Sequence, residues 1–163
     1  MQAGIKLTGE LTLYDGLAPG AGIQVLYKSS GHSGFETGVF WQKRRYASFF
    51  TEGPGGGSLY QSKVFSHRLQ IPFLYRFNSK PVNFSIGPVA DFPIGKSINT
   101  DDPDPALKNF KNYKSTMILT VNFSHTFKLF RVFFLEPEIG FNYLPSRSDG
   151  GACINVSLRR TIF

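Results

Sequence analysis

Phe65-Ser66-His67-Arg68-Leu69-Gln70-Ile71-Pro72-Phe73-Leu74-Tyr75-Arg76-Phe77 is the stretch whose reading decides the fold. Residues two apart on an extended strand share a face. Phe65, Leu69, Ile71, Phe73, Tyr75 and Phe77 then fall on one side, and Ser66, Arg68, Gln70, Pro72, Leu74 and Arg76 on the other. A helix would scatter these sets around its axis. The same alternation returns downstream. Val82, Phe84, Ile86, Ala90, Phe92 and Ile94 oppose Asn83, Ser85, Gly87, Val89 and Asp91; Met117, Leu119, Val121 and Phe123 oppose Thr116, Thr120, Asn122 and Ser124; Phe133, Leu135, Ile139, Phe141 and Tyr143 oppose Glu136, Glu138, Gly140 and Asn142.

Extended over the chain, the pattern gives eight segments, at about 3–13, 20–29, 34–48, 62–77, 82–95, 114–127, 131–143 and 151–163, with boundaries good to two to four residues. Alternation alone does not say which face is inside. A soluble carrier would turn the apolar set inward, and a membrane barrel would turn it outward. Volume decides between them. An eight-stranded barrel has an interior just wide enough to be filled by side chains, and segment four alone would load it with three Phe, a Tyr, a Leu and an Ile. The polar set, by contrast, mixes Gly22, Gly38, Gly87 and Gly140 with long Arg and Gln, which suits a narrow lumen. The reading is therefore an all-β fold: an eight-stranded antiparallel up-and-down transmembrane β-barrel, spanning 1–163 as a single domain.

Composition agrees. The 163 residues include 17 Phe, 7 Tyr and 17 Gly, while charged residues make up only 18% of the chain, low for a soluble domain. No run of about 18 apolar residues exists to make a transmembrane helix. Connection lengths add an independent test. In an outer-membrane barrel with both ends in the periplasm, even connections are short turns and odd ones form the longer outer loops. Here 30–33, 78–81 and 128–130 are short, 49–61 and 96–113 are long, and 14–19 and 144–150 are intermediate. Tyr14, Tyr27, Trp41, Tyr46, Tyr75, Phe77, Phe92, Tyr113, Phe127 and Tyr143 gather near segment ends, as an interfacial girdle requires. Such a barrel resides in a bacterial outer membrane and must be exported. Met1–Gly4 carries no basic, hydrophobic signal segment, so the chain is expected to be a form from which the signal has been removed.

Leu69-Gln70-Ile71-Pro72-Phe73-Leu74-Tyr75-Arg76-Phe77, Ile86-Gly87-Pro88-Val89 and Leu135-Glu136-Pro137-Glu138-Ile139-Gly140 resemble motifs of the PorT-like outer membrane protein beta-barrel domain family. The opening Gly4-Ile5-Lys6 and the arm at 34–40 fit the same pattern. The resemblance implies the fold of small OmpX-type barrels and an envelope location; most members of the family have no assigned activity, and a few act in secretion or gliding. Pro72, Pro88 and Pro137 each remove a ladder donor and are expected at bulges or strand ends. Phe163 resembles the terminal aromatic read by the barrel-assembly machinery, but it is out of phase with Ile154, Val156, Leu158 and Ile162; a bulge near 159–160 would restore the phase.

Candidate site residues lie on the polar face. Glu36, Arg68, Arg76, Asp91, Glu136, Glu138 and Arg159 are expected to form an interlocking charge network that plugs the lumen, because buried charges must pair. Glu136 and Glu138 share a face and have the look of a catalytic pair, but partnership with Arg68 and Arg76 is the simpler reading. Lys43-Arg44-Arg45, near the outer rim of segment three, are candidates for contact with lipopolysaccharide phosphates. Further partners are outer-membrane lipid and, through the outer loops, other outer-membrane proteins. The stripes of aromatics on many strands do not form the single platform that nucleic-acid binding uses.

No catalytic constellation, cofactor or metal is expected. His32, His67 and His125 do not converge. Asp101-Asp102-Pro103-Asp104 lacks the spacing of a calcium loop. Gly53-Pro54-Gly55-Gly56-Gly57 lacks a following Gly-Lys-Ser/Thr and is a loop tip. Cys153, the sole cysteine, is read as a small buried residue. The functional expectation is a non-enzymatic outer-membrane barrel with a structural, surface-binding or accessory-subunit role. A soluble carrier of an apolar ligand and an outer-membrane lipid-modifying enzyme are the alternatives.

Overall fold

The computed structural model describes residues 1–12, 16–52, 59–99, 114–145 and 149–162, with side chains described for all of these except 12, 16, 45–52, 59–64, 98–99 and 149. Among them are nine strand segments and no helix: β1 (Gln2–Thr12), β2 (Gly16–Lys28), β3 (Ser33–Glu52), β4 (Leu59–Phe77), β5 (Asn83–Asn99), β6 (Thr116–Ser124), β7 (Phe127–Lys128), β8 (Phe133–Leu144) and β9 (Asp149–Thr161). β6 and the two-residue β7 both pair with β8 and form one interrupted stave, so the nine segments make eight staves. Every neighbouring pair is antiparallel, and β1 pairs with β9 from Gln2↔Thr161 to Thr12↔Gly151. The sheet therefore closes on itself and leaves no open edge.

The expected alternation fixes the two walls. Phe73 and Phe141 are each 58% exposed on the outside, with Ile5, Leu7, Ile23, Ile139 and Ile154 beside them. Arg68, Arg76, Asp91, Glu136 and Glu138 are buried inside. This is the reverse of what a soluble carrier requires. The short turns gather at one end with the strand termini. Each is stitched by its own serine or backbone: Ser29 N and Ser30 N donate to Ser33 O, the Ser30 hydroxyl accepts from His32 N and Ser33 N, and Val82 N donates to the Ser79 hydroxyl. We call this the turn end and the opposite one the loop end.

Four expectations need correction. The third connection does not open at 49; Phe49↔Ser62 through Glu52↔Leu59 are paired, so the β3–β4 hairpin runs further than the alternation suggested. Likewise β5 continues to Asn99. Pro72, Pro88 and Pro137 do not carry the bulges. Register shifts fall between Arg45 and Ala47 and between His67 and Arg68, whereas Pro88 and Pro137 sit in unbroken register opposite Leu119 and Val156. Near Pro72 the β3–β4 register is kept, and the hydroxyl of Thr37 donates to the Pro72 carbonyl at 2.8 Å. Finally, β9 holds one register through Arg159 and Arg160, so no bulge restores the phase of Phe163, which itself lies outside the described residues.

Aromatic residues collect towards both ends of the outer wall. At the turn end Phe35 meets Tyr75 edge-on at 5.8 Å and His125 meets Phe127 at 4.6 Å; nearer the loop end Trp41 stacks on His67 at 5.7 Å. Tyr14 and Tyr113, and the side chain of Tyr46, lie outside the described residues.

Candidate functional site

The lumen is built by one repeated local choice: every second residue of each stave turns inward, and most of these are polar, small or charged. Where charges turn inward among the described residues they form two clusters, one toward each end. The ion pairs of the turn-end cluster join five staves. Lys6 (β1) bonds Glu36 (β3) at 3.1 Å and Glu138 (β8) at 2.7 Å. Arg76 (β4) bonds Glu36 at 3.2 Å and Glu136 (β8) at 2.7 Å, and Arg159 (β9) also bonds Glu136. The Ser124 and Thr126 hydroxyls donate to Glu136 at 2.6 and 2.7 Å, and the Asn155 amide donates to Glu138 at 2.5 Å.

The loop-end cluster is smaller. Glu10 (β1) takes Arg44 (β3), the Gln42 amide at 2.8 Å and the Asn142 amide at 2.8 Å. Asp91 (β5) takes Arg68 (β4) at 2.6 Å, Arg44 at 3.6 Å and the Thr116 hydroxyl at 3.2 Å. Arg68 also donates to the Lys114 carbonyl at 3.1 Å. Leu74, Val89, Ile118 and Leu144, from four neighbouring staves, pack together. Phe40, the one large aromatic among the buried residues whose side chains are described, lies against the space left by two glycines, since a Cβ at Gly38 would meet its ring at 2.8 Å.

A cavity of about 60 Å³ remains beside Phe40, Gln42, Pro72 and Cys153. That is room for about two waters and for no organic ligand. Five cations face five carboxylates in the two clusters, so the network is neutral and the formal +7 of the chain is carried outside it.

All seven residues assigned to the lumen from sequence point into it, but not always toward the partners expected. Arg68 meets Asp91 rather than Glu136 or Glu138, because Asp91 lies opposite Gln70 near the loop end while Glu136 lies opposite Ser157 near the turn end. Glu138 meets Lys6, which sequence reasoning did not place in the site; Glu10 was missed too. The signal was available in the alternation of Lys6, Thr8 and Glu10 with Ile5, Leu7 and Leu11.

Arg44 requires a correction. It is 8% exposed and turned into the lumen, so it is no candidate for lipopolysaccharide. Its phase is that of Glu36, Phe40 and Gln42. Lys43 turns outward, 4.4 Å from the Phe65 ring centroid, and the Arg45 side chain lies outside the described residues. Asp101, Asp102, Asp104 and the glycines at 53–57 also lie outside them. No group of His, Cys, Asp and Glu among the described residues is arranged to hold a metal.

No protein-family profile matches this chain, and no curated protein sequence does. Several solved structures are similar in shape. Ail, the attachment invasion locus protein of Yersinia pestis, solved with the heparin analogue sucrose octasulfate, superposes with a TM-score of 0.50 at 10% identity, over 98% of this chain and 94% of that one. The N-terminal β-barrel domain of Pseudomonas aeruginosa OprF gives 0.49 at 12% identity, over 97% and 96%. Neisserial surface protein A gives 0.47 at 12% identity, over 98% and 94%. At such identities the likeness concerns the fold: this chain is a closed, eight-stranded antiparallel β-barrel of the kind found in small outer-membrane proteins.

Proposed function

We propose that the chain is an integral protein of a bacterial outer membrane that acts through its outer wall and its loops, with no enzymatic chemistry and no transport through the lumen. The observation that carries this reading is the inversion of the two walls. An exposed large apolar side chain forgoes about 1.5–3 kcal/mol of burial in water, and the outside of this barrel presents them on every full-length stave. Only an apolar solvent makes that arrangement favourable. The motif resemblance to the PorT-like family belongs to the same reading.

The interior argues for the role. A lumen crossed by two layers of ion pairs, with a 60 Å³ void between them, neither conducts nor carries. The loop end offers a place for specific contact: its outward Lys43 is suited to lipopolysaccharide phosphates, and its loops could dock other outer-membrane proteins. A structural, surface-binding or accessory-subunit role follows.

The test is refolding from urea with and without detergent. The reading expects a compact form only with detergent or lipid, detected as heat-modifiable gel migration, and fractionation of the exported protein with outer membranes. A chain that folds in plain buffer overturns it. A large, steady conductance in planar bilayers would overturn the filled-lumen part alone.

A further inference from the structure

The turn end of the lumen opens into a mouth of about 390 Å³, far larger than the void inside. Arg159 forms part of its floor, and Lys28, His32, Asn78 and Lys80 line its wall. No carboxylate lines it. Nor do the turn segments 29–32, 78–82 and 125–132 contain an Asp or Glu. Neither Lys28 nor Lys80 makes an ion pair among the described residues.

The floor has spare capacity. Arg159 is 1% exposed and spends one amino group on Glu136, but its Nε and Nη1 have no acceptor. The Asn78 side chain accepts from Arg76 Nε at 2.9 Å through Oδ1, and its Nδ2 has no acceptor either. Unmade bonds on buried donors cost about 1–3 kcal/mol each, more for charged groups. The arrangement is one-sided: donors and cations without acceptors, at the open end of a network that is otherwise neutral.

We propose that this mouth is an anion-binding site for a phosphate-bearing ligand. Inorganic phosphate or a phosphate monoester carries about −1.5 to −2 charges, which matches Lys28 and Lys80 together; a lipid phosphodiester carries one charge, and the unmet donors of Asn78 and Arg159, buried behind the lysines, favour either anion. The volume exceeds that of inorganic phosphate, so the mouth has room for a body beyond the anionic head. That head reaches the mouth either as a free solute or as the headgroup of an anionic lipid. The inference rests on barrel geometry, and not on which membrane holds the barrel.

The experiment uses the full chain folded in dodecyl maltoside, a detergent without phosphate, and in nanodiscs containing phosphatidylglycerol. Inorganic phosphate is titrated into the detergent sample while the backbone amides of Lys28, Gly31 and Asn78 are followed by NMR. Saturable shifts with inorganic phosphate support the site and a soluble ligand. The same shifts seen only in the phosphatidylglycerol nanodiscs support the site and a lipid headgroup.

Lys28→Ala with Lys80→Ala should weaken binding at least about tenfold. A control pair with the same loss of charge, Lys128→Ala with Arg131→Ala, should change it less than about twofold, because an exposed charge away from the site contributes only screened attraction. All four residues are exposed, and heat-modifiable migration checks that each variant is folded. Absence of saturable shifts in both settings overturns the proposal, and so does an equal loss in the control pair, which would mean diffuse attraction to a basic rim.

Discussion

The two charge clusters solve the same problem with different completeness. At the turn end each carboxylate is held by at least two partners, and Glu136 by four. The surplus there is of donors, on Arg159 and Asn78. At the loop end Asp91 crowds three partners onto Oδ2 and leaves Oδ1 bare. The surplus there is of an acceptor. Both clusters are neutral, yet their unmet bonding capacity has opposite sign at opposite ends. Neutrality of a buried network is a statement about charge; saturation is a separate property, set by where each atom points.

The sharpest way to break this comparison is Glu136→Ala. Arg76 would keep Glu36, but Arg159 would lose its only carboxylate partner among the described residues while remaining 1% exposed. Removing one partner of a buried pair costs about 3–5 kcal/mol, so the urea midpoint of the detergent-folded barrel should fall accordingly. A loss under about 1 kcal/mol would mean that the cluster does not hold the barrel together.

The outer wall comes next in size. Leu119→Arg, mid-wall on β6, should cost about 2–4 kcal/mol in lipid, whereas Phe77→Arg at the turn-end rim should cost about 0–1 kcal/mol. The measurement is urea unfolding in vesicles. Equal costs at the two positions would remove the depth dependence on which a lipid-facing wall depends.

At the loop end, Asp91→Asn should cost about 1.5–3 kcal/mol, less than the turn-end change. Arg44 retains Glu10, and Arg68 retains the Lys114 carbonyl. If this variant is destabilised as much as Glu136→Ala, the contrast between the more and the less completely bonded carboxylate has no energetic content.

The alternation, the stave number and the inward set were legible because they depend only on local phase, and phase survives errors at strand ends. Arg44 shows the limit. Read as a member of Lys43-Arg44-Arg45 it belongs to a surface run; read in phase with Gln42 it belongs inside, and strand geometry sends sequence neighbours to opposite walls. Partner choice was not legible, because it depends on the stagger between staves. Lys6 reaches Glu36 across a strand and 30 residues of chain, and no local pattern encodes that. The mouth at the turn end was illegible for the same reason: it is made where Lys28, Asn78 and Arg159 meet from three separate stave ends.

Between the two clusters, one polar contact on the outer wall ties sequence and fold together. Thr37 is exposed among Phe35 and Val39, a poor place for a hydroxyl in lipid, and Pro72 sits in a stave with no free edge, a poor place for a proline. The 2.8 Å bond from the Thr37 hydroxyl to the Pro72 carbonyl resolves both. With no N–H at residue 72, the exchange of bonds that normally engages both of its backbone groups is incomplete, and the hydroxyl supplies a donor to the carbonyl. Thr37→Val keeps the shape and should cost about 0.5–1.5 kcal/mol. In a Pro72→Ala background, where the ladder donor is restored, the same change should cost close to nothing, giving a coupling energy nearly as large as the single effect. An unchanged cost in that background would mean that the hydroxyl stabilises β3 for some reason unconnected with the proline.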